Sequence, residues 1–428
     1  MIDVKRLRQD PEGSRAALAR RLDPRVDAAV ARILELDRRR RDVLVRTEAL
    51  KAQRNAQSDE VARGKKAGDD VAELMAALKA SGEQVKGFDA QVREVDAALE
   101  TELLGVPNFL RPDVPEGDAS ANVELRRVGT PRALDFAPRP HWDLGANLGI
   151  LDLAAGALVT GSGFPVFRGA GARLVRGLAS FMLDMHVERH GYTEVSVPYV
   201  VNRASMQGTG QLPKFADELY TVTADELFLI PTAEVPVTNL HRDAVLDGAS
   251  LPFGYACWTP CFRREAGAAG KDTRGLIRVH QFDKVELVRF CRPEESEAQH
   301  ALITSHAEAV LRALEIPYRV LALAAGDTGF ASARTHDLEA WAPGVGGWLE
   351  VSSASTFTDY QARRANIRFR PSAGAKPEFV HTLNASGLAF PRTLIALLEN
   401  HQEADGSVRI PGPLVPYVGI DRLVARGG

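Results

Sequence analysis

From Val26 to Leu103 the chain carries no proline and few glycines. In the second half of this stretch Val71, Leu74, Leu78, Val85, Phe88, Val92, Val95 and Leu99 recur at alternating gaps of three and four, with Ser81 filling one slot. Apolar residues at that spacing form a narrow stripe along a helix, and such a stripe is buried only against another helix. The first half has a weaker seam of Ala29, Ile33, Leu36, Val43, Leu50 and Val61, with Arg40, Thr47, Arg54 and Gln57 on seam positions. Between the halves, Arg63 to Asp70 supplies two glycines and a run of charges, which predicts a turn. Asp69 or Asp70 is placed to cap the second helix. The pattern predicts two antiparallel helices, each roughly 50 Å long at ~1.5 Å per residue. A hairpin of this kind has too thin a core to be a compact domain, so it is expected to form an arm.

Charge is divided between the two helices. Residues 20–66 hold 14 basic and 8 acidic side chains, and residues 69–102 hold 3 basic and 9 acidic ones. This pattern has two readings: ion pairing across the hairpin, or a basic face for a phosphate backbone. The whole chain, with 53 Lys and Arg against 56 Asp and Glu, has a net charge of -3. That excludes a generally basic coat protein but leaves room for a local basic face.

Gly105-Val106-Pro107-Asn108, followed by Pro112, Pro115 and Gly117, reads as a linker. It divides the chain into an expected N-terminal domain, 1–106, and a second domain, 107–428. The second has mixed character. Ala172 to His190 is predicted as an amphipathic helix, and Leu394 to His401 as a helix with Pro391 near its start. Thr193–Pro198, Leu227–Ile230, Cys261–Arg263, Phe282–Phe290, Trp348–Ser353 and Ile367–Arg370 are candidate strands. They do not alternate regularly with helices, so the expected class is α+β, an antiparallel sheet flanked by helices. Three cysteines do not make a disulfide framework, and the Cys257/Cys261 pair has no nearby His/Cys partners for zinc. The N-terminal residues lack a signal-peptide stretch, and Leu148 to Val159 is too short to span a bilayer. The expectation is a soluble, reducing, cytoplasmic setting with no membrane partner. The sequence has no GxGxxG opening a helix, no GxxxxGK[ST] and no GxSxG.

The densest polar constellation runs from Phe262-Arg263-Arg264-Glu265 through Gly267, Gly270-Lys271-Asp272 and Gly275 to Ile277-Arg278-Val279-His280-Gln281-Phe282-Asp283-Lys284-Val285-Glu286. It reads as strand, long loop, strand. Arg263 and Arg278 on adjacent strands would converge, and two guanidinium forks match a polyphosphate. Phe282 and Glu286 share the strand face of Arg278, which offers a stacking ring and a carboxylate. A charged hairpin with solvated ion pairs is the plain alternative.

This stretch resembles motif 2 of class II aminoacyl-tRNA synthetases, and specifically the bacterial-type seryl-tRNA synthetase family. Other segments agree with that resemblance. Pro231-Thr232-Ala233-Glu234 resembles the family's serine-binding element, and Glu350-Val351-Ser352-Ser353 with Asp359 to Arg364 its ATP and metal strand. Asn384 to Arg392 and the following Leu394 to Asn400 resemble motif 3, while the helix from Ala172 with Tyr192 to Pro198 resembles motif 1, the dimer element. The N-terminal hairpin resembles the family's tRNA-binding arm, so the likeness spans essentially the whole chain.

The resemblance implies that serine and ATP form seryl-adenylate, whose seryl group passes to the 3′ end of tRNA(Ser), in a homodimer using Mg²⁺. It implies that Arg263 binds the α-phosphate and the serine carboxylate, and that Arg278 and Arg392 bind phosphates. Arg264, Glu265, Val279 and Glu350 to Ser353 belong to the implied ATP site, Phe282 stacks under adenine, and Glu350 and Ser353 hold the metal. Thr232, Ala233 and Glu234 hold the serine ammonium side, and Glu286 and Ser386 read the hydroxyl. Arg40 and Arg54 are candidates for tRNA phosphate contacts, and His280 is expected to be structural. An acceptor aimed at a hydroxyl also accounts for rejection of alanine, which would leave Glu286 unpaired. The sequence departs from the family pattern at Arg264, Ala354, Ala385, Phe390 and Pro391. Ala385 matters most if the usual glycine adopts a positive φ. Two rivals are an adenylating paralogue with another acceptor and a non-catalytic tRNA-binding protein. The intact arm opposes the first, and the joint presence of Arg263, Glu265, Arg278, Glu286, Glu350 and Arg392 opposes the second.

Overall fold

The computed structural model describes residues 1–266 and 273–425, so Gly267, Gly270, Lys271 and Asp272 of the motif 2 loop lie outside the described residues. Contacts divide the chain into two compact units, one of Ile2–Ala19 and Asp23–Pro107, the other of Met1, Arg20–Leu22 and Asn108–Gly428.

The first unit contains the expected hairpin of α1 (Val26–Ala67) and α2 (Ala72–Leu104). Gly68, at φ 82, ends α1, and Asp70 Oδ1 accepts the Ala72 N–H at 3.0 Å at the start of α2. Val30, Ile33, Leu36, Val43 and Val61 of α1 are buried, as are Val85, Val95 and Leu99 of α2. The polar seam positions find partners within the hairpin. Ser81 Oγ donates to Gln57 Oε1 at 2.8 Å, and the buried Thr47 hydroxyl donates to the Val43 carbonyl. Arg40 forms an ion pair with Asp96, Lys51 with Asp89 at 3.2 Å, and Arg39 with Glu94 at 3.9 Å. Pairing across the hairpin therefore absorbs part of the charge split, and Arg54 is half-buried at the seam.

The second unit is built on an eight-stranded sheet. Its strands are β1 (Val123–Val128), β2 (Thr193–Glu194), β3 (Phe253–Phe262), β4 (Gln281–Cys291), β5 (Tyr318–Ala322), β6 (Arg334–Ala342), β7 (Gly347–Thr358) and β8 (His381–Ala389). The spatial order is β1-β5-β6-β7-β8-β4-β3-β2, antiparallel throughout except for β2 beside β3. Helices α3 (Ala170–Asp184), α4 (Ser296–Ala313) and α5 (Phe390–Asn400) cover it. Leu174, Leu178 and Met182 of α3, Ile303 and Val310 of α4, and Leu394 and Leu397 of α5 share one core with Val285, Leu287, Leu338 and Leu383 of the sheet. This is the expected α+β class. Among the described residues no helix is long and apolar enough to cross a membrane.

The sheet corrects one expectation. Ile277 to Glu286 is not a single strand, because β4 begins only at Gln281. Gly275 adopts φ +66, and the segment after it turns before entering the sheet. Arg278 therefore reaches the site from a turn, not from a strand face shared with Phe282.

Candidate active site

The central strands β4, β8 and β7 supply most of the polar groups, and their register decides which of them meet. Glu286 of β4 lies opposite Ser386 of β8, and Ser353 of β7 lies opposite Asp337 of β6. Directly opposed residues have Cβ atoms about 5 Å apart, so each pair shares one patch of the sheet. Two cavities open over this patch. One, of about 220 Å³, is lined by Arg263, Glu265, Arg278, Val279, Phe282, Glu350, Val351 and Arg392 among others. The second, of about 580 Å³, adds Thr232, Glu234, Ser353 and Asn384. Arg263, Glu265, Arg278, Lys284, Glu350 and Ser386 line both.

On the first side, Arg263 follows directly after β3. Its backbone N–H donates to the His280 carbonyl at 2.8 Å, and His280 Nδ1 donates back to the Arg263 carbonyl at 3.0 Å. His280 thus pins the strand end, as its expected structural role requires. The Arg263 guanidinium stands 5.1 Å from the centre of the Phe282 ring. Glu265 adopts φ 51, a conformation uncommon for a residue with a side chain, and its carboxylate pairs with Arg278. Arg392, in the first turn of α5, donates through Nε to the Ile277 carbonyl at 3.2 Å and through Nη1 to the Glu350 carbonyl at 3.0 Å. Arg264 is exposed and lines neither cavity, which separates it from Arg263 and Glu265.

On the second side the organising group is Lys284, which the motif reading did not single out. It is buried, and its Nζ donates to Thr232 Oγ1 at 2.9 Å and pairs with Glu286. Glu286 also accepts from Asn384 Nδ2 at 3.0 Å and lines neither cavity, so the Lys284 ammonium stands at its cavity-side flank. Glu234 accepts from Gln361 Nε2 at 2.6 Å and from Asn384 Nδ2 at 2.9 Å. Burial, and then the charge of Glu286, lift the Glu234 carboxyl to about 7. Burial also raises Glu286, while Lys284 beside it works in the opposite direction. Ala233 is fully buried and lines neither cavity, and Ser352 is turned inward, donating to the Ser386 carbonyl at 2.6 Å. Lys284, Asn384 and Gln361 were missed because each signal is a long-range convergence. Asn384 and Gln361 lie within segments that the resemblance marks but without a role of their own, and Lys284 stands out as an ionisable residue inside a strand rich in valine and leucine.

Glu350 and Ser353 offer hard oxygen donors of the kind magnesium prefers. Ser353 Oγ lies 2.6 Å from Asp337 Oδ1 and 3.2 Å from Glu350 Oε1. Burial, and then the charge of Glu350, push the Asp337 carboxyl well above its usual range. The Ser353 hydroxyl and the exposed Glu350 carboxylate, which also pairs with Arg392 at 3.4 Å, are the oxygen donors that fit a hard cation. Among the described residues no group of three His, Cys, Asp or Glu side chains is set to hold a metal, so nucleotide oxygens would have to complete the shell. The departures in motif 3 are absorbed locally. Ala385 lies in β8, fully buried and without a positive φ, and Phe390 is buried in the core at the start of α5.

Cavities that gather arginines, an aromatic ring and carboxylates over the central strands of such a sheet are features of class II aminoacyl-tRNA synthetases. Residues 219–401 match the tRNA synthetase class II core domain (G, H, P, S and T), and residues 1–110 match the seryl-tRNA synthetase N-terminal domain. The chain belongs to the seryl-tRNA synthetase family. It is 56% identical over 420 residues to the serine–tRNA ligase of Gemmatimonas aurantiaca, covering 98% of this chain and 99% of that one. The crystal structure of seryl-tRNA synthetase from Pyrococcus horikoshii complexed with ATP superposes with a TM-score of 0.94 at 40% identity, covering all of both chains. The cytoplasmic serine–tRNA ligase of Naegleria fowleri in complex with AMP gives 0.87 at 29% identity, covering 100% of this chain and 99% of that one.

Proposed function

We propose that the two adjoining cavities bind ATP and L-serine side by side and that this chain is a serine–tRNA ligase. The chain activates serine with ATP and passes the seryl group to tRNA. The observation that carries this reading is the convergence of Arg263, Arg278 and Arg392 with Phe282 in one cavity that opens beside Thr232, Glu234 and Ser386.

In the first step a serine carboxylate oxygen attacks the α-phosphorus and pyrophosphate leaves with the bond electrons. Charge grows on the phosphoryl oxygens, and fixed guanidinium groups stabilise it without reorganising. Arg263, which lines both cavities and follows directly after β3, holds the serine carboxylate against the α-phosphate. Arg278 and Arg392 hold the outer phosphates, Phe282 stacks on adenine, and Glu265, Val279 and Val351 border the base and ribose. Glu350 and Ser353 would hold magnesium, which would supply charge neutralisation on the phosphates. Thr232 and Glu234 face the serine ammonium. Ser386 faces the hydroxyl, and Glu286 acts on it through Lys284, the ammonium it holds. In the second step the terminal hydroxyl of tRNA(Ser) attacks the seryl carbonyl and AMP leaves.

Residues 1–106 form the tRNA-binding domain and 107–428 the catalytic one. Arg40 is occupied with Asp96 and Arg54 lies at the seam, so the solvent-facing Arg38, Arg46 and Arg63 of α1 are better placed for phosphates. The exposed apolar side chains Leu158, Val159, Tyr199 and Val200 and the short edge strand β2 are the surfaces we assign to a homodimer contact in a cytoplasmic enzyme. The test is ATP–pyrophosphate exchange with Mg²⁺, run with serine, alanine, threonine and cysteine. Exchange with serine alone is expected. A folded protein that exchanges with none of the four would leave a non-catalytic tRNA-binding protein as the better reading.

A further inference from the structure

His141 lies outside every motif discussed above, yet it is fully buried against the segment that carries Arg278. Its Nδ1 is 2.9 Å from Glu399 Oε1, and its Nε2 is 2.9 Å from the Leu276 backbone nitrogen. An amide N–H only donates, so Nε2 bears the lone pair and Nδ1 carries the proton toward the carboxylate. The same Glu399 carboxylate accepts from the backbone N–H groups of His141, Gly344 and Val345 at 2.8 to 3.0 Å, which fixes it and in turn the imidazole.

Two further contacts show the chain moulded onto this ring. Gly275, at φ +66, comes so close that a Cβ there would lie 2.2 Å from His141 Nε2 and 3.0 Å from the Trp142 ring. The Arg274 guanidinium stacks 4.3 Å from the centre of the Trp142 ring. Glu399 also belongs to α5, the helix whose first turn carries Arg392, and Arg392 holds the Ile277 carbonyl. The segment 276–278 is thus gripped at one amide through His141 and at the next carbonyl by Arg392, and both grips run back to α5.

We propose that His141 is a positioning residue for the nucleotide: by holding the Leu276 amide it sets Arg278 in register with Arg392 across the cavity. The proposal rests on reading that cavity as the ATP site. It requires a neutral imidazole, since an imidazolium would set N–H against N–H. The side chain itself touches no substrate, so its loss acts on ATP and leaves serine recognition alone.

Two variants separate the two ends of the ring. His141→Asn keeps a donor near the Nδ1 position for Glu399 but leaves the Leu276 amide without an acceptor. His141→Gln places a carbonyl oxygen near the Nε2 position. In serine-dependent ATP–pyrophosphate exchange by the full chain, His141→Asn is expected to raise the KM for ATP about five- to tenfold, the effect of one lost buried hydrogen bond. The KM for serine stays near the parent value, and His141→Gln recovers most of the loss. The rise in Tm on adding ATP, read without turnover, shrinks in the same order. If both variants keep the parent KM for ATP, or if both lose ATP binding, serine binding and Tm together, His141 serves the fold alone and the proposal fails. A parent protein without serine-dependent exchange overturns the ATP-site reading and the proposal with it, whereas an active parent with unaffected variants overturns only the proposal.

Discussion

At Glu234 burial and charge work against each other. The carboxyl is buried, and desolvation followed by the Glu286 charge raises its pKa from 4.5 to about 7. A raised folded pKa means the native protein holds this proton more tightly than the unfolded chain does. The resulting stabilisation is complete below the unfolded value and is lost as pH rises through about 7. An ammonium ion beside the carboxylate reverses that preference, because it favours the ionised form. Serine binding below this pH therefore expels a proton, and the KM for serine is expected to climb as pH falls through about 7, approaching roughly tenfold per pH unit. Exchange kinetics across that range check the slope, and a flat profile would remove Glu234 from the ammonium site. Glu234→Gln should flatten the profile and raise the KM for serine on the order of 10- to 100-fold, the loss of a charged hydrogen bond. Lys284 poses the converse problem. Lys284→Met would leave Glu286 buried without its counter-charge, which is expected to cost roughly 3 kcal/mol or more. Urea unfolding measures that loss, and an unchanged midpoint would mean that water or a neighbour replaces the ammonium.

Among the elements, the hairpin was the most legible in the sequence, because a seam repeating every three and four residues admits few other structures. Its polar seam positions were legible as places but not as partners. That Gln57 meets Ser81, and Arg40 meets Asp96, depends on a register fixed by the turn at Gly68. The Arg40–Asp96 pair is about 40% exposed on each side, so Arg40→Ala is expected to cost under ~1 kcal/mol in thermal unfolding, while Leu99→Ala in the apolar seam costs about 2 kcal/mol or more. A larger loss for Arg40 would make the ion pair the structural tie. The catalytic sheet was legible where motifs marked it and less so elsewhere. Helix α4 went unseen because its buried face includes His300, Thr304, His306 and Glu308, which blurs the hydrophobic period. The segment 273–280 was misjudged for a different reason. Ile277 to His280 alternates like a strand, but His141 captures the Leu276 amide and Gly275 turns the chain, so tertiary contacts override the local pattern.

At the scale of the whole molecule, the two half-reactions should respond differently to salt. The net charge of -3 hides a stretch, residues 20–66, with six more basic than acidic residues and another, residues 69–102, with six more acidic than basic ones. Part of that separation is spent on Arg39, Arg40 and Lys51, whose partners lie across the hairpin, and the remainder faces solvent on α1. A polyanion gripped by exposed guanidinium groups releases condensed counterions. Each phosphate contact then contributes about -0.7 to -0.9 to the slope of log K against log salt, so four contacts give a slope of roughly -3. In the proposed ATP site the arginines are held in place by Glu265, Pro231, Ile277 and Glu350, where screening is weaker. Between about 50 and 200 mM salt, tRNA binding should weaken on the order of 50-fold while serine-dependent exchange changes little. Deleting Asp27 to Leu99 should remove the salt-dependent binding and tRNA charging together and spare exchange. Filter binding and exchange assays on the intact and shortened chains make the comparison. Charging that survives the deletion, or affinity for tRNA that ignores salt, would move tRNA recognition off the hairpin and onto the catalytic unit.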